Sequence, residues 1–236
     1  MKRFTYFFSL SILLIFSTLA SANVMVYPMT VKINPENANR NQFKIFSKSD
    51  KTQYLKVYVA EVVSPATPQE HEIPISIMSG KGIVASPQKI ILPPGGEHAV
   101  RVRTLSTPSK EALYRVYVEP VTSDDEDYEK NDTASVGINL TWGVLVYSPP
   151  ITPVSSLDVN LKNQKLENTG NIHTWVKNVS LCSGNVPETC VKTKIEKSLY
   201  PDLSMSLPSV GFPIKSVVVE YQNQESDLKS QRWNFQ

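Results

Sequence analysis

Two cysteines and three histidines in 236 residues leave little for metal chemistry to work with. A structural zinc centre needs four clustered thiolate or imidazole ligands. His71, His98 and His173 are far apart and have no Cys, Asp or Glu at ligand spacing, so they read as ordinary surface or loop residues. A phosphate loop is also missing: "SGKG" at Ser79 to Gly82 lacks the first glycine of that motif and carries Gly82 where Ser or Thr is required. No G-x-S-x-G elbow occurs. A hydrolase or metal-handling sandwich protein would need converging titratable groups that the sequence does not display. The expectation is therefore no enzyme, no metal, no cofactor and no small-molecule substrate.

A basic cluster is lacking as well. Lys and Arg number 24 against 22 Asp and Glu, and the excess of two disappears if Lys2 and Arg3 are removed with a leader. A neutral product of this kind neutralises phosphates poorly, which argues against nucleic-acid binding. Glycine is scarce beside proline, 9 against 17, and apolar residues alternate instead of recurring at helical spacing. That pattern favours an all-β fold of sandwich type.

The start, "MKRFTYFFSLSILLIFSTLASA", sets two basic residues before an apolar run from Phe4 to Phe16 and a small-residue site at Ala20-Ser21-Ala22. It reads as a secretory signal peptide, residues 1–22, cut after Ala22. The run falls short of the ~20 residues a spanning helix needs, and no later run is long enough. An exported chain meets an oxidising compartment, so Cys182 and Cys190 in "CSGNVPETC" are expected to form a local disulfide. Closing so short a loop contributes about 2–3 kcal/mol in the chain-entropy model.

Along the chain, "NVMVYPMTVKI" is a strand interrupted at Pro28, hence an edge strand or one that changes sheets. "NQFKIFS" and "TQYLKVYVAEVV" alternate, the latter with Leu55, Val57 and Val59 on one face and Tyr54, Lys56 and Tyr58 on the other. The stretch "SPATPQEHEIPISIMSGKG" reads as loop with a short strand at Ile75 to Met78. "IVASPQKIILPPGGEHAVRVRT" gives strand, break, strand, a Pro-Pro-Gly-Gly turn and strand. "EALYRVYVEPV" is the next strand, followed by the acidic run Ser123 to Asp132. "SPPITPVSS" reads as a stiff joint. Beyond it, "SLDVNLK", "TWVKNVSLC", "CVKTKIEKSL" and "KSVVVEY" give at least four more strands. The expected organisation is a first β domain over residues 23–150 and a second, smaller one over residues 151–236.

"ASVGINLTWGVLVY", Ala134 to Tyr147, alternates for longest: Val136, Ile138, Leu140, Trp142, Val144 and Val146 fall on one face. From Val136 to Val146 such a strand would run about 30 Å, beyond the reach of its hairpin neighbour, Leu113 to Val121. An overhanging apolar edge is usually blunted by charge, bulge or proline, and no such device precedes Pro149. Its retention suggests pairing with another chain by strand addition. Burying Val136, Ile138, Leu140 and Trp142 would contribute on the order of 6–12 kcal/mol before association costs. Arg101 and Arg103 in "AVRVRT" share one strand face, where two guanidinium groups could engage a carboxylate, although a solvated strand face accounts for them more simply.

The signal sequence, the two β domains, "SPQKIILPPGGEHAVRVR", "YRVYVEPV" and the alternating strand behind a polar loop together resemble the PapD-like periplasmic chaperones of the chaperone–usher pilus pathway. "YPM" near the mature start, "YRVYVEPV" and the paired cysteines look most like the alternate branch, which serves class 5 fimbriae and the common pilus. The resemblance covers most of the mature chain. It implies two immunoglobulin-like domains in a boomerang arrangement, which bind pilin subunits in the cleft and along the long edge strand. The subunit is held by donor-strand complementation and delivered to an outer-membrane usher, without ATP. An unoccupied edge would also be open to self-association.

One departure is evident. In the better-known branch two basic cleft residues clamp the subunit's terminal carboxylate. Their places here fall near Thr30 to Lys32 and near Leu145, and the long strand has no Lys or Arg. Lys32, with Thr30 beside it, is the candidate anchor, and Arg101 or Arg103 are less favoured replacements. The alternative function is a structural fimbrial subunit or tip adhesin, against which the two-domain layout and the proline-broken start argue.

Overall fold

The computed structural model describes residues 23–121, 140–184, 189–223 and 227–235. The expected leader, the acidic run, and Val136 and Ile138 lie outside the described residues. The described elements are strands and short 3-10 turns. Among the described residues seventeen strands, β1 to β17, form four sheets, and no pairing joins the ten strands up to Ser148 to the seven from Leu157 onward.

The first sheet takes β1 (Val24–Tyr27), β3 (Gln42–Ser47), β8 (Glu97–Thr104) and β6 (Ile83–Ser86) in that order. The second takes β2 (Thr30–Lys32), β10 (Trp142–Ser148), β9 (Ala112–Pro120), β4 (Gln53–Val63) and β5 (His71–Pro74), with β7 (Lys89–Leu92) also on β4. The chain changes sheets between β1 and β2, where Pro28 has no N–H to continue a ladder. Period-two alternation sends Phe43, Ile45, Val100 and Val102 of one sheet against Val57, Val116, Val118 and Val144 of the other, all within 2% exposure. Those inward rows supply the hydrophobic stabilisation.

The far end of β4 departs from simple alternation. Val62 is buried although it points outward, because Val62 and Leu113 meet Tyr200 from the second half of the chain. The strand expected at Ile75 to Met78 is not there. The strand is His71–Pro74, and a 3-10 turn follows at Ile77–Ser79. Local bonds win at that point: Ser79 N–H donates to the Ser76 carbonyl at 3.0 Å and Met78 N–H to the Ser76 hydroxyl at 3.3 Å.

The second sandwich packs β11 (Leu157–Asn160), β12 (Lys165–Asn168) and β15 (Ser204–Ser206) against a sheet ordered β14 (Cys190–Leu199), β13 (Thr174–Cys182), β16 (Ser216–Gln222) and β17 (Leu228–Asn234). Leu166, Val176, Leu181, Val217 and Val219 are fully enclosed in its core. The Cys182–Cys190 disulfide is formed, joining register partners at the ends of β13 and β14.

Candidate functional site

Everything that distinguishes β10 follows from its two neighbours. Antiparallel β9 matches it along its whole length, from Trp142 opposite Val118 to Ser148 opposite Ala112. Parallel β2 covers only Leu145 to Tyr147. Leu145 N–H donates to the Met29 carbonyl at 3.0 Å, and the Tyr147 carbonyl accepts from Ile33 N–H at 2.9 Å. Backbone groups alternate in direction along a strand, so Gly143 aims its N–H and C=O to the same side. Among the described residues nothing pairs with it there, because β1 has already left for the other sheet.

Side chains follow the same alternation. Val144 and Val146 are fully buried in the first core, and Trp142 packs partly buried against it. The Trp142 indole Nε1 is enclosed without a hydrogen-bond partner. Leu140, just ahead of the strand, is 52% exposed. Of the four residues expected to be lent to a partner, Leu140 is thus open to solvent and Trp142 sits on its own core, while Val136 and Ile138 lie outside the described residues.

Thr30 and Lys32 are exposed on β2, in register with Leu145 and Tyr147. Arg101 and Arg103 stand elsewhere, on the outward face of β8 in the other sheet. Arg103 donates to the Ala38 carbonyl at 2.7 Å. The structure therefore brings Thr30 and Lys32 together with β10 and leaves the two arginines apart from it. His71 and His98 are exposed, as expected. His173 is not an ordinary loop residue: it reaches across the junction to Glu111, and its ring lies between Tyr147 and Tyr200, 5.0 and 5.3 Å from their centroids.

The outward face beside β10 carries residues that the sequence reading passed over. Arg115 pairs with Glu72, and its other guanidinium nitrogen is 3.7 Å from Glu70. Tyr117 donates to Glu72 at 2.7 Å and stacks on Tyr58, with centroids 5.0 Å apart, and Lys56 stands 5.5 Å above the Tyr58 ring. Burial, helped by the Glu72 hydrogen bond, holds the Tyr117 hydroxyl above its usual range. The signal was present: in "YRVYVEPV", Arg115 and Tyr117 are two apart and must share a face. No signal marks Glu111 and His173, whose 62-residue separation only the fold closes. Among the described residues no group of three or more His, Cys, Asp or Glu is placed to hold a metal ion.

No protein-family model matches the chain. It is 34% identical over 204 residues to a protein of Escherichia coli named as a subunit of CFA/I fimbriae, covering 84% of each. It is 32% identical over 200 residues to one named as a subunit of CS1 fimbriae in the same species, covering 81% of this chain and 83% of that one. Among solved structures, the class 5 fimbriae chaperone CfaA superposes with a TM-score of 0.75 at 30% identity, over 89% of this chain and 98% of that one. A chain from work on the chaperone–tip adhesin complex in CFA/I fimbriae biogenesis superposes with a TM-score of 0.78 at 30% identity, over 90% and 98%. With relatives of this identity matched across both sandwiches, and the same fold in the solved chaperone, the chain belongs to the non-enzymatic chaperone–usher pilus chaperones, in the class 5 fimbrial branch.

Proposed function

We propose that this periplasmic chaperone holds fimbrial subunits by adding the segment that leads into β10, as a strand, to an incomplete subunit sandwich. The single observation carrying this reading is the open side of β10 at Gly143, with exposed Leu140 immediately ahead of it. Strand addition supplies main-chain hydrogen bonds there, and Val136, Ile138 and Leu140 supply apolar side chains to the subunit's groove, with Trp142 at the boundary between the two cores. Thr30 and Lys32, beside the same strand, are the proposed contacts for the subunit's terminal carboxylate. Arg101 and Arg103 suit that role less, since they face outward from the other sheet.

Met1 to Ala22 is the proposed cleaved leader to the periplasm. An outer-membrane usher is the proposed recipient of the loaded subunit, on the family resemblance. An unloaded open edge is also a template for pairing between two copies. The function as structural subunit or adhesin is disfavoured, because both of this chain's sandwiches have closed cores of their own.

The test is Ile138→Asp combined with Leu140→Asp. The variant should remain folded by circular dichroism yet yield no soluble complex when co-expressed with a fimbrial subunit. Recovery of the complex at the wild-type level would refute the lent strand.

A further inference from the structure

The outward-facing positions of β10 are Gly143, Leu145 and Tyr147. Leu145 and Tyr147 lie against the junction cluster with Val62, Leu113 and Tyr200. Gly143 stands at the open part of the edge and brings no side chain. Its place is taken from the neighbouring strand: a Cβ there would meet Arg115 Cδ at 2.8 Å, Arg115 Cγ at 3.1 Å and Tyr117 Cε1 at 3.4 Å. What is offered over Gly143 is therefore a methylene stem and a ring edge. The charge of Arg115 is directed away, to Glu72 and Glu70.

This surface is held stiff. Tyr117 is fixed by its stack on Tyr58 and its bond to Glu72, and Tyr58 by Lys56 above it. An aromatic pair held in place beside an unpaired backbone presents area at a low ordering cost on binding. A glycine in an edge strand is typically complemented by a large side chain on the strand beside it.

We infer that the subunit residue placed next to Gly143 on the outward face is aromatic or long and apolar, and that it lies on the Tyr117 ring edge and the Arg115 stem. This rests on the proposed strand addition and adds the register and the chemistry of one specificity position. Gly143 and Tyr117 then select among subunits, through a contact separate from the apolar residues lent on the inward face.

The experiment uses the full chain co-expressed with a fimbrial subunit from the same fimbrial gene cluster, with complex affinity measured on purified components. Tyr117→Leu should weaken the complex about fivefold to tenfold, whereas Tyr117→Phe, which keeps the ring, should stay within about twofold. Gly143→Ala pushes the Arg115 stem out of its place over Gly143 and should weaken binding, with the unfolding curve of the free chain recorded alongside to measure any loss of the Arg115–Glu72 pair. An alanine scan of the subunit's edge strand, crossed with Tyr117→Leu, should reveal one non-additive partner, and that partner should be Phe, Tyr, Trp, Leu, Ile or Met. A small or charged coupling partner overturns the inference. So does wild-type affinity for both Tyr117→Leu and Gly143→Ala; if Ile138→Asp with Leu140→Asp still abolishes binding in that case, the lent strand stands and only the register is wrong. Wild-type binding by the double aspartate variant removes both.

Discussion

His173 and Glu111 join the two sandwiches: the His173 backbone N–H donates to the Glu111 carboxylate at 3.2 Å, and its ring Nδ1 bonds the same oxygen. Glu111 precedes β9 and its side chain has no exposed surface. Tyr200 then touches the His173 ring and brings its hydroxyl 3.3 Å from that of Tyr147, on β10. The second sandwich thereby buttresses the end of the strand whose other end is open. Glu111→Ala leaves two partly buried His173 donors without their acceptor and is expected to cost about 1–2 kcal/mol. The readout is urea unfolding, together with faster amide exchange at His173.

Alkaline pH should loosen the same region. Burial, then Glu61, pushes the Tyr114 hydroxyl up from 10.0 to about 12, and burial, then Tyr147, also raises that of Tyr200. In the unfolded chain these groups ionise near pH 10, while the folded chain keeps their protons. The stability Tyr114 contributes is complete below about pH 10 and is lost as pH climbs toward about 12, and that of Tyr200 begins to fall from the same pH and persists to more alkaline conditions. For Tyr114, with solvent screening allowed for, the loss is on the order of 1–2 kcal/mol. Unfolding curves taken from about pH 9 upward should show this decline, and Tyr114→Phe should flatten it.

The Cys182–Cys190 bridge closes a separation of 8 residues in the second sandwich, whose core shares no residue with the first. Replacing both cysteines by alanine should lower the stability of that sandwich by about 2–3 kcal/mol. Exchange protection of Val116 and Val144, in the first core, should be unaffected.

Much of the fold was legible because alternation is a local property. Leu55, Val57 and Val59 announced the inward face of β4, and Pro28 announced a strand that either lies at an edge or changes sheets. The Cys182 and Cys190 pairing followed from short spacing in an exported chain. β17 went unread because "LKSQRWN" is mostly polar: it covers a sheet edge and contributes little to the core. At Ile75 to Met78 the apolar spacing pointed to a strand, and the Ser76 turn bonds overrode it. The site was half legible. Leu140 and the unusual length of the alternating stretch could be read directly. The opening at Gly143 could not, since it depends on where β2 stops covering β10, a tertiary fact. His173 illustrates the same limit, because a lone histidine shows nothing until Glu111 and two tyrosines surround it.

Hydrogen exchange at the Gly143 amide addresses the central claim most directly, because that N–H faces the side where a subunit strand would add. In the free chaperone it should exchange freely, and in the purified chaperone–subunit complex it should slow by at least about a hundredfold, as a ladder hydrogen bond requires. An intact complex in which the Gly143 amide exchanges at the free rate would contradict strand addition at this edge.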